Sequence, residues 1–193
     1  MGLTKRQSEI VEKAIEIMVE EGFYRLTVKN LADKMGFSEP ALYRHFKDKK
    51  DILIAVVETV KANMLSIVNK TDLTLNSEDL FLKLMCEITG YLKKVRGVTI
   101  LIMSETSIQN DRDLREAMYS FYQSMLKKVS EFLETKKDLG EIREDVDTYV
   151  AAQVFLGIIQ SMVLKHFLSG RESGIDENCE KIIKIFLKGV LNG

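Results

Sequence analysis

A single proline interrupts 193 residues, and it stands at position 40. Inside a helix, proline removes a backbone donor and clashes with the preceding turn. A chain that uses it once, with 11 glycines and no tryptophan, therefore carries few helix breakers. Apolar residues recur at three- and four-residue steps through most of the sequence, which predicts an all-α fold of about nine helices. Pro40 falls at the second position of one of them, where its missing N–H is a donor the helix does not use.

Thr4 and Gln7 have capping-box spacing, and Ile10, Val11, Ala14, Ile15 and Met18 place a first helix at about 5–21, stopped by Gly22. A second, from Val28 to about Lys34, takes Thr27 as its N-cap and ends at Gly36. Ser38 caps the third. Its buried pair, Leu42 and Phe46, lie four residues apart and turn Glu39, Pro40, Tyr43, Arg44 and Lys47 outward. Asp48 opens a long fourth helix to about Asn69. Further helices are expected at about 78–96 behind Asn76 and Asp79, at 99–108, from Leu114 to Lys137, from Asp145 or Asp147 to Leu168, and at 176–191. The organisation expected is a helix-turn-helix domain at 1–48 and a helical domain at 49–193.

The net charge of −1 is unevenly spread: residues 22–50 carry seven basic and three acidic side chains, the excess that phosphate binding needs. Apolar runs such as Val154–Ile159 are too short to span a bilayer, and no signal-peptide core opens the chain, so a cytoplasmic protein is expected. Cys86 and Cys179 lack metal-ligand spacing and read as buried thiols. The two histidines, His45 and His166, have no nucleophile or carboxylate pair at catalytic spacing, which argues against an enzyme. No cofactor is expected.

From Thr27 to Lys49, the Leu31-Ala32 pair, the Gly36 turn, the Leu42-Tyr43-x-His45-Phe46 run and the following lysine resemble the DNA-binding region of the TetR family of bacterial regulators. The resemblance implies that Tyr43, His45 and Lys49 grip phosphates and that Thr27 caps the second helix against the DNA backbone. Lys29, Glu39, Pro40, Ala41 and Arg44 would then face the groove, with Ser38 and Lys47 beside them. A recognition helix does read bases with its N-terminal residues. Other readings stay open: Glu39 as a first-turn acid favoured by the helix dipole, Tyr43 as a partly buried aromatic, His45 as an imidazole satisfied by local backbone.

One such motif reads few base pairs, so a homodimer on palindromic operator DNA is implied. Val154, Phe155, Ile158, Ile159 and Met162, with Ile182, Ile183 and Phe186, are the candidate interface, an ordinary intramolecular core being the other reading. The family further implies a repressor released by a small apolar or amphipathic effector. Met64, Met85, Met103, Met118, Phe121, Tyr122 and Met125 are candidates for its pocket, or for plain core, with Glu87, Arg96 or Glu105 as a polar anchor. The alternative function is an architectural or division-linked DNA-binding factor that acts through protein partners without a ligand.

Overall fold

The computed structural model describes residues 2–95, 97–169 and 179–191; of 108 and 109 it describes the backbone alone. Over these residues the chain forms α1 (Lys5–Glu20), a 3-10 turn (Phe23–Arg25), α2 (Val28–Met35), α3 (Glu39–Tyr43), α4 (Lys49–Asn69), α5 (Ser77–Lys94), α6 (Val98–Gln109), α7 (Arg112–Asp138), α8 (Thr148–Ser169) and α9 (Cys179–Val190). The expected all-α fold is found. The only extended pairing among the described residues is an isolated antiparallel bridge between Ile142 and Leu191.

The chain divides into two compact units, residues 1–60 with 98–121, and 61–97 with 122–193. The first therefore holds α6 and the start of α7 in addition to the helix-turn-helix. Its α1 opens on the capping box foreseen, with the Gln7 N–H on the Thr4 hydroxyl at 3.3 Å and the Thr4 N–H on the Gln7 carbonyl at 3.0 Å. Ile10, Val11, Ala14, Ile17 and Met18 are buried along one face of α1, as helical periodicity requires. The start of α4 is fixed twice over: Asp48 accepts the Asp51 N–H at 2.8 Å, and the Asp51 carboxylate accepts the Lys47 N–H at 3.1 Å. Lys50 reaches Asp113 at 2.6 Å and Asp111 at 3.5 Å, and Asp111 also caps α7 through the Leu114 N–H.

In the second unit the rings of Phe81, Phe155 and Phe186, from α5, α8 and α9, form a closed triad with centroids 5.5, 5.6 and 6.2 Å apart. Such edge-on and tilted packing is the arrangement aromatic quadrupoles favour. Lys136 is almost wholly buried, and its ammonium donates to the Leu75 carbonyl and, at 2.9 Å, to Glu141. The other oxygen of Glu141 accepts the N–H and hydroxyl of Ser77 at 2.7 and 2.8 Å, so one ion pair ties the start of α5 to the turn after α7. Partial burial raises the Glu141 carboxyl, but Lys136 and Ser77 outweigh that and hold it below its ordinary value.

One open alternative is resolved and two local expectations need correction. Asp147, not Asp145, opens α8, accepting from the Tyr149 and Val150 N–H groups at 3.0 Å each, while Asp145 pairs with Arg143. Cys179 is buried but Cys86 is exposed, because it falls just outside the buried arc of α5. Helix α8, 22 residues long with mean hydropathy 1.4, is by length and composition long and apolar enough to cross a membrane. The estimate from unbroken apolar runs missed this because Gln153, Gln160 and Ser161 interrupt α8 without charging it. One face of α8, Ala151, Ala152, Phe155, Ile159, Met162 and Val163, is buried within its own unit. The start of the expected 176–191 helix and the glycines at 170 and 174 lie outside the described residues.

Lys136→Met should cost roughly 1–3 kcal/mol in chemical denaturation, because the Leu75 carbonyl and Glu141 lose their buried donor. The depressed Glu141 carboxyl contributes stability above its unfolded value, lost as pH falls through the folded one. The acid limb of the stability curve should therefore flatten in Glu141→Gln.

Candidate nucleic-acid interface

Thr27 takes extended backbone and its hydroxyl accepts the Asn30 N–H at 3.0 Å, which starts α2. Gly36 ends it with φ of +67°, in the left-handed region, and sends its N–H to the Asp33 carbonyl while Phe37 donates to the Ala32 carbonyl at 2.9 Å. This doubly bonded reversal fixes where α3 begins relative to α2, and its left-handed backbone favours glycine.

Helix α3 is short, five residues. Pro40 sits at its second position as foreseen, but the Ser38 hydroxyl makes no cap bond; only the Ser38 carbonyl serves, accepting from Ala41 and Leu42. Leu42 and Phe46 are buried, and Glu39, Pro40, Arg44 and Lys47 stand exposed, with Ala41 and His45 half-buried. Tyr43 is 49% exposed. Leu42 is buried on α3 and Phe46 on the turn that follows it, which leaves Glu39, Pro40 and Tyr43 outward on the helix and Arg44 and Lys47 outward on the turn. Lys29 is exposed on α2 beside Thr27.

Lys49 is placed differently from the others. Its ammonium lies 4.7 Å from the centre of the Phe23 ring and is half-buried; burial pushes it down, against the pull of the Glu105 carboxylate. A cation over an aromatic face gains about 0.5–2 kcal/mol, so an internal contact competes with any phosphate. The sequence also passes over Tyr24 and Arg25. Tyr24 is 81% exposed, and with Arg25, Thr27, Lys29 and Asn30 it lines a polar groove of about 300 Å³ that Glu21 and Asp33 close. The signal was available: Phe23 is buried and Leu26 is buried, so the two residues between them must face out.

The remaining candidates separate. Met64, Met85 and Met125 are buried in the second unit, where Tyr122 is 42% exposed; Met118 and Phe121 are half-buried in the first, and Met103 there is 51% exposed. Met103 therefore does not belong to an enclosed lining. Glu87 is exposed, Glu105 is buried, and Arg96 lies outside the described residues. A polar pair the sequence reading missed, Asn63 and Tyr91, is hydrogen-bonded at 3.0 Å, with burial raising the half-buried Tyr91 phenol. Of the interface candidates, Phe155, Ile159, Met162 and Ile183 face their own unit's core and are corrected to that role, since they share the inward stripe of α8 and α9. Val154 stands out from α8, and it joins Ala151, Ile158, Ile182, Ile185, Phe186, Gly189 and Val190 around an apolar groove of about 430 Å³. Ile185, 74% exposed, had gone unnoticed because it falls one residue off the buried stripe of α9.

Residues 10–56 match the model of the bacterial regulatory proteins, tetR family. The chain is 25% identical over 162 residues to nucleoid occlusion factor SlmA of Glaesserella parasuis, covering 83% of this chain and 80% of that one. It is 24% identical over 189 residues to the HTH-type transcriptional repressor AcnR of Corynebacterium diphtheriae, covering 97% and 93%. Among solved structures, FadR of Bacillus subtilis in complex with stearoyl-CoA superposes with a TM-score of 0.74 at 20% identity, over 96% of this chain and 99% of that one. The helix-turn-helix built around Leu42 and Phe46 lies within the matched segment, so it is over residues 10–56 that the chain is similar to the tetR family of bacterial regulatory proteins.

Proposed function

We propose that the protein is a cytoplasmic transcriptional repressor that binds palindromic operator DNA as a homodimer and leaves it when a small amphipathic ligand binds. The observation that carries the DNA reading is α3: Leu42 and Phe46 are buried, and Glu39, Pro40, Tyr43 and Arg44 are presented together. Arg44 suits guanine O6 and N7, Glu39 the cytosine amine, and Pro40 and Ala41 a thymine methyl. Tyr43, His45 and Lys47 suit phosphates, while Lys29 approaches from α2. No catalytic role is assigned: His45 belongs to the exit of α3 and His166 to the last turn of α8.

Dimerisation is supported by the outward apolar stripe of α8 with its partner residues on α9. Val150, Val154, Leu164 and Leu168 are all exposed at helical spacing, and Ile185 adds the same character on α9. A surface of this kind suits a two-fold contact in which each copy contributes two helices. The effector is proposed for the second unit, where Met64, Met85 and Met125 give a deformable apolar interior and the Asn63–Tyr91 pair offers polar groups. The FadR neighbour held stearoyl-CoA, and the same compound is the first probe to try. The likeness to a nucleoid occlusion factor favours a second reading, a DNA-bound factor acting through protein partners. Operator affinity unmoved by long-chain acyl thioesters and by co-purifying small molecules would favour it.

Operator duplexes selected from a randomised pool supply the DNA test. Lys47→Ala should weaken binding to all duplexes and reduce the slope of log K against log salt by about 0.9, whereas Arg44→Ala should cost roughly 1–3 kcal/mol at one base pair only. Unchanged selectivity in Arg44→Ala would remove α3 as the reading element. Because Val154 and Ile185 are exposed, Val154→Lys and Ile185→Glu should yield folded monomers in light scattering with operator affinity sharply reduced; persistent dimers would move the interface elsewhere.

A further inference from the structure

Helix α3 cannot hold itself. It has five residues, no side-chain cap at Ser38, and bonds that tighten at once to shorter spans, His45 donating to Leu42 at 2.9 Å. Isolated helices several times longer are marginal in water. Its exit is instead tied to the opposite end of the domain sequence: the Gln7 side-chain amide donates to the His45 carbonyl at 3.0 Å, in a partly buried position. The same Gln7 side chain, through its oxygen, accepts the Thr4 N–H at 3.0 Å and so completes the α1 capping box. One residue before it, the Arg6 guanidinium lies 5.1 Å from the centre of the Phe37 ring, at the entrance to α3, while pairing with Glu9. The first turn of α1 thus holds α3 at both ends.

We infer that Gln7 is a positioning residue for base recognition, joining the start of α1 to the exit of the recognition helix through the His45 carbonyl. This rests on the DNA-binding reading above. A carbonyl facing a donor sets the angle at which Tyr43, Arg44 and His45 leave the helix. Losing the donor frees that end without touching any group that meets DNA. The two ends of the Gln7 side chain can be separated chemically. Gln7→Glu keeps the acceptor that the capping box needs, and glutamate is a common residue at that position, but it turns a carboxylate toward the His45 carbonyl. Gln7→Arg keeps a donor for the carbonyl and removes the acceptor. Gln7→Met removes both without adding charge.

The experiment measures binding to the selected operator and to a scrambled duplex at one salt concentration, with thermal melts of each variant. A charge at position 7 shifts both duplexes alike, whereas a displaced recognition helix loses the operator alone. Gln7→Glu and Gln7→Met should lower the operator-to-scrambled ratio roughly tenfold, the scale of one partly buried hydrogen bond, and Gln7→Arg should preserve it. Gln7→Glu and Gln7→Arg, each losing one of the two Gln7 contacts, should both melt slightly below the wild type. An unchanged ratio in Gln7→Glu and Gln7→Met, with wild-type discrimination intact, would overturn the inference. A ratio lost in Gln7→Arg and Gln7→Met but kept in Gln7→Glu would overturn it too, because the α1 cap alone would then be responsible. If the wild type itself shows no preference for any duplex, the DNA-binding reading fails first, and the melts of the variants would not rescue it.

Discussion

The burial of Leu42 on a helix of five residues, and of Phe46 just beyond its end, is the constraint on which the proposed DNA-facing surface depends. So short an element contributes almost nothing to its own stability, so its direction is dictated by what surrounds it. The doubly bonded turn at Gly36 sets where it starts, the Asp48 and Asp51 cap sets where the chain leaves toward α4, and the first turn of α1 clasps it from the side. On the proposed reading, the side chains offered to DNA are positioned by the turns and helix ends around α3 as much as by α3 itself, the usual division between a precise site and its supporting shell.

A similar economy of means operates in the second unit. Its aromatic triad packs α5, α8 and α9 without any polar partner, while the single buried lysine is satisfied by a carbonyl and a carboxylate that is itself held by Ser77. Buried charge is tolerable only when so completely paired, and removing one member leaves the other groups unsatisfied.

Helices were legible in the sequence because periodicity and caps agree: Thr4 with Gln7, Thr27 before Val28, Asn76 with Asp79, and glycines at 22, 36 and 140 with positive φ. The outward residues around α3 were legible from Leu42 and Phe46 as inward positions, although the helix ends at Tyr43 and Phe46 is buried from the turn beyond it. What escaped was anything decided by tertiary placement. Lys49 reads as one more cation of a basic segment, and only packing shows it over Phe23. Phe155 and Val154 are apolar neighbours, yet one is buried and the other is half exposed, and an apolar band this wide gives little phase to choose between them. The unit boundary at 98–121 was hidden likewise, because α6 and the start of α7 carry no break in composition that would assign them to the helix-turn-helix unit.

The outward stripe of α8 bears on how the protein is used in a cell. On the proposed dimer, each newly made chain carries its apolar face uncovered until it meets a second, so the DNA-competent species forms in a second-order step. Operator occupancy at low copy number would then follow the square of chain concentration, and a modest change in expression would act as a sharper threshold than any single-chain regulator of equal affinity can set.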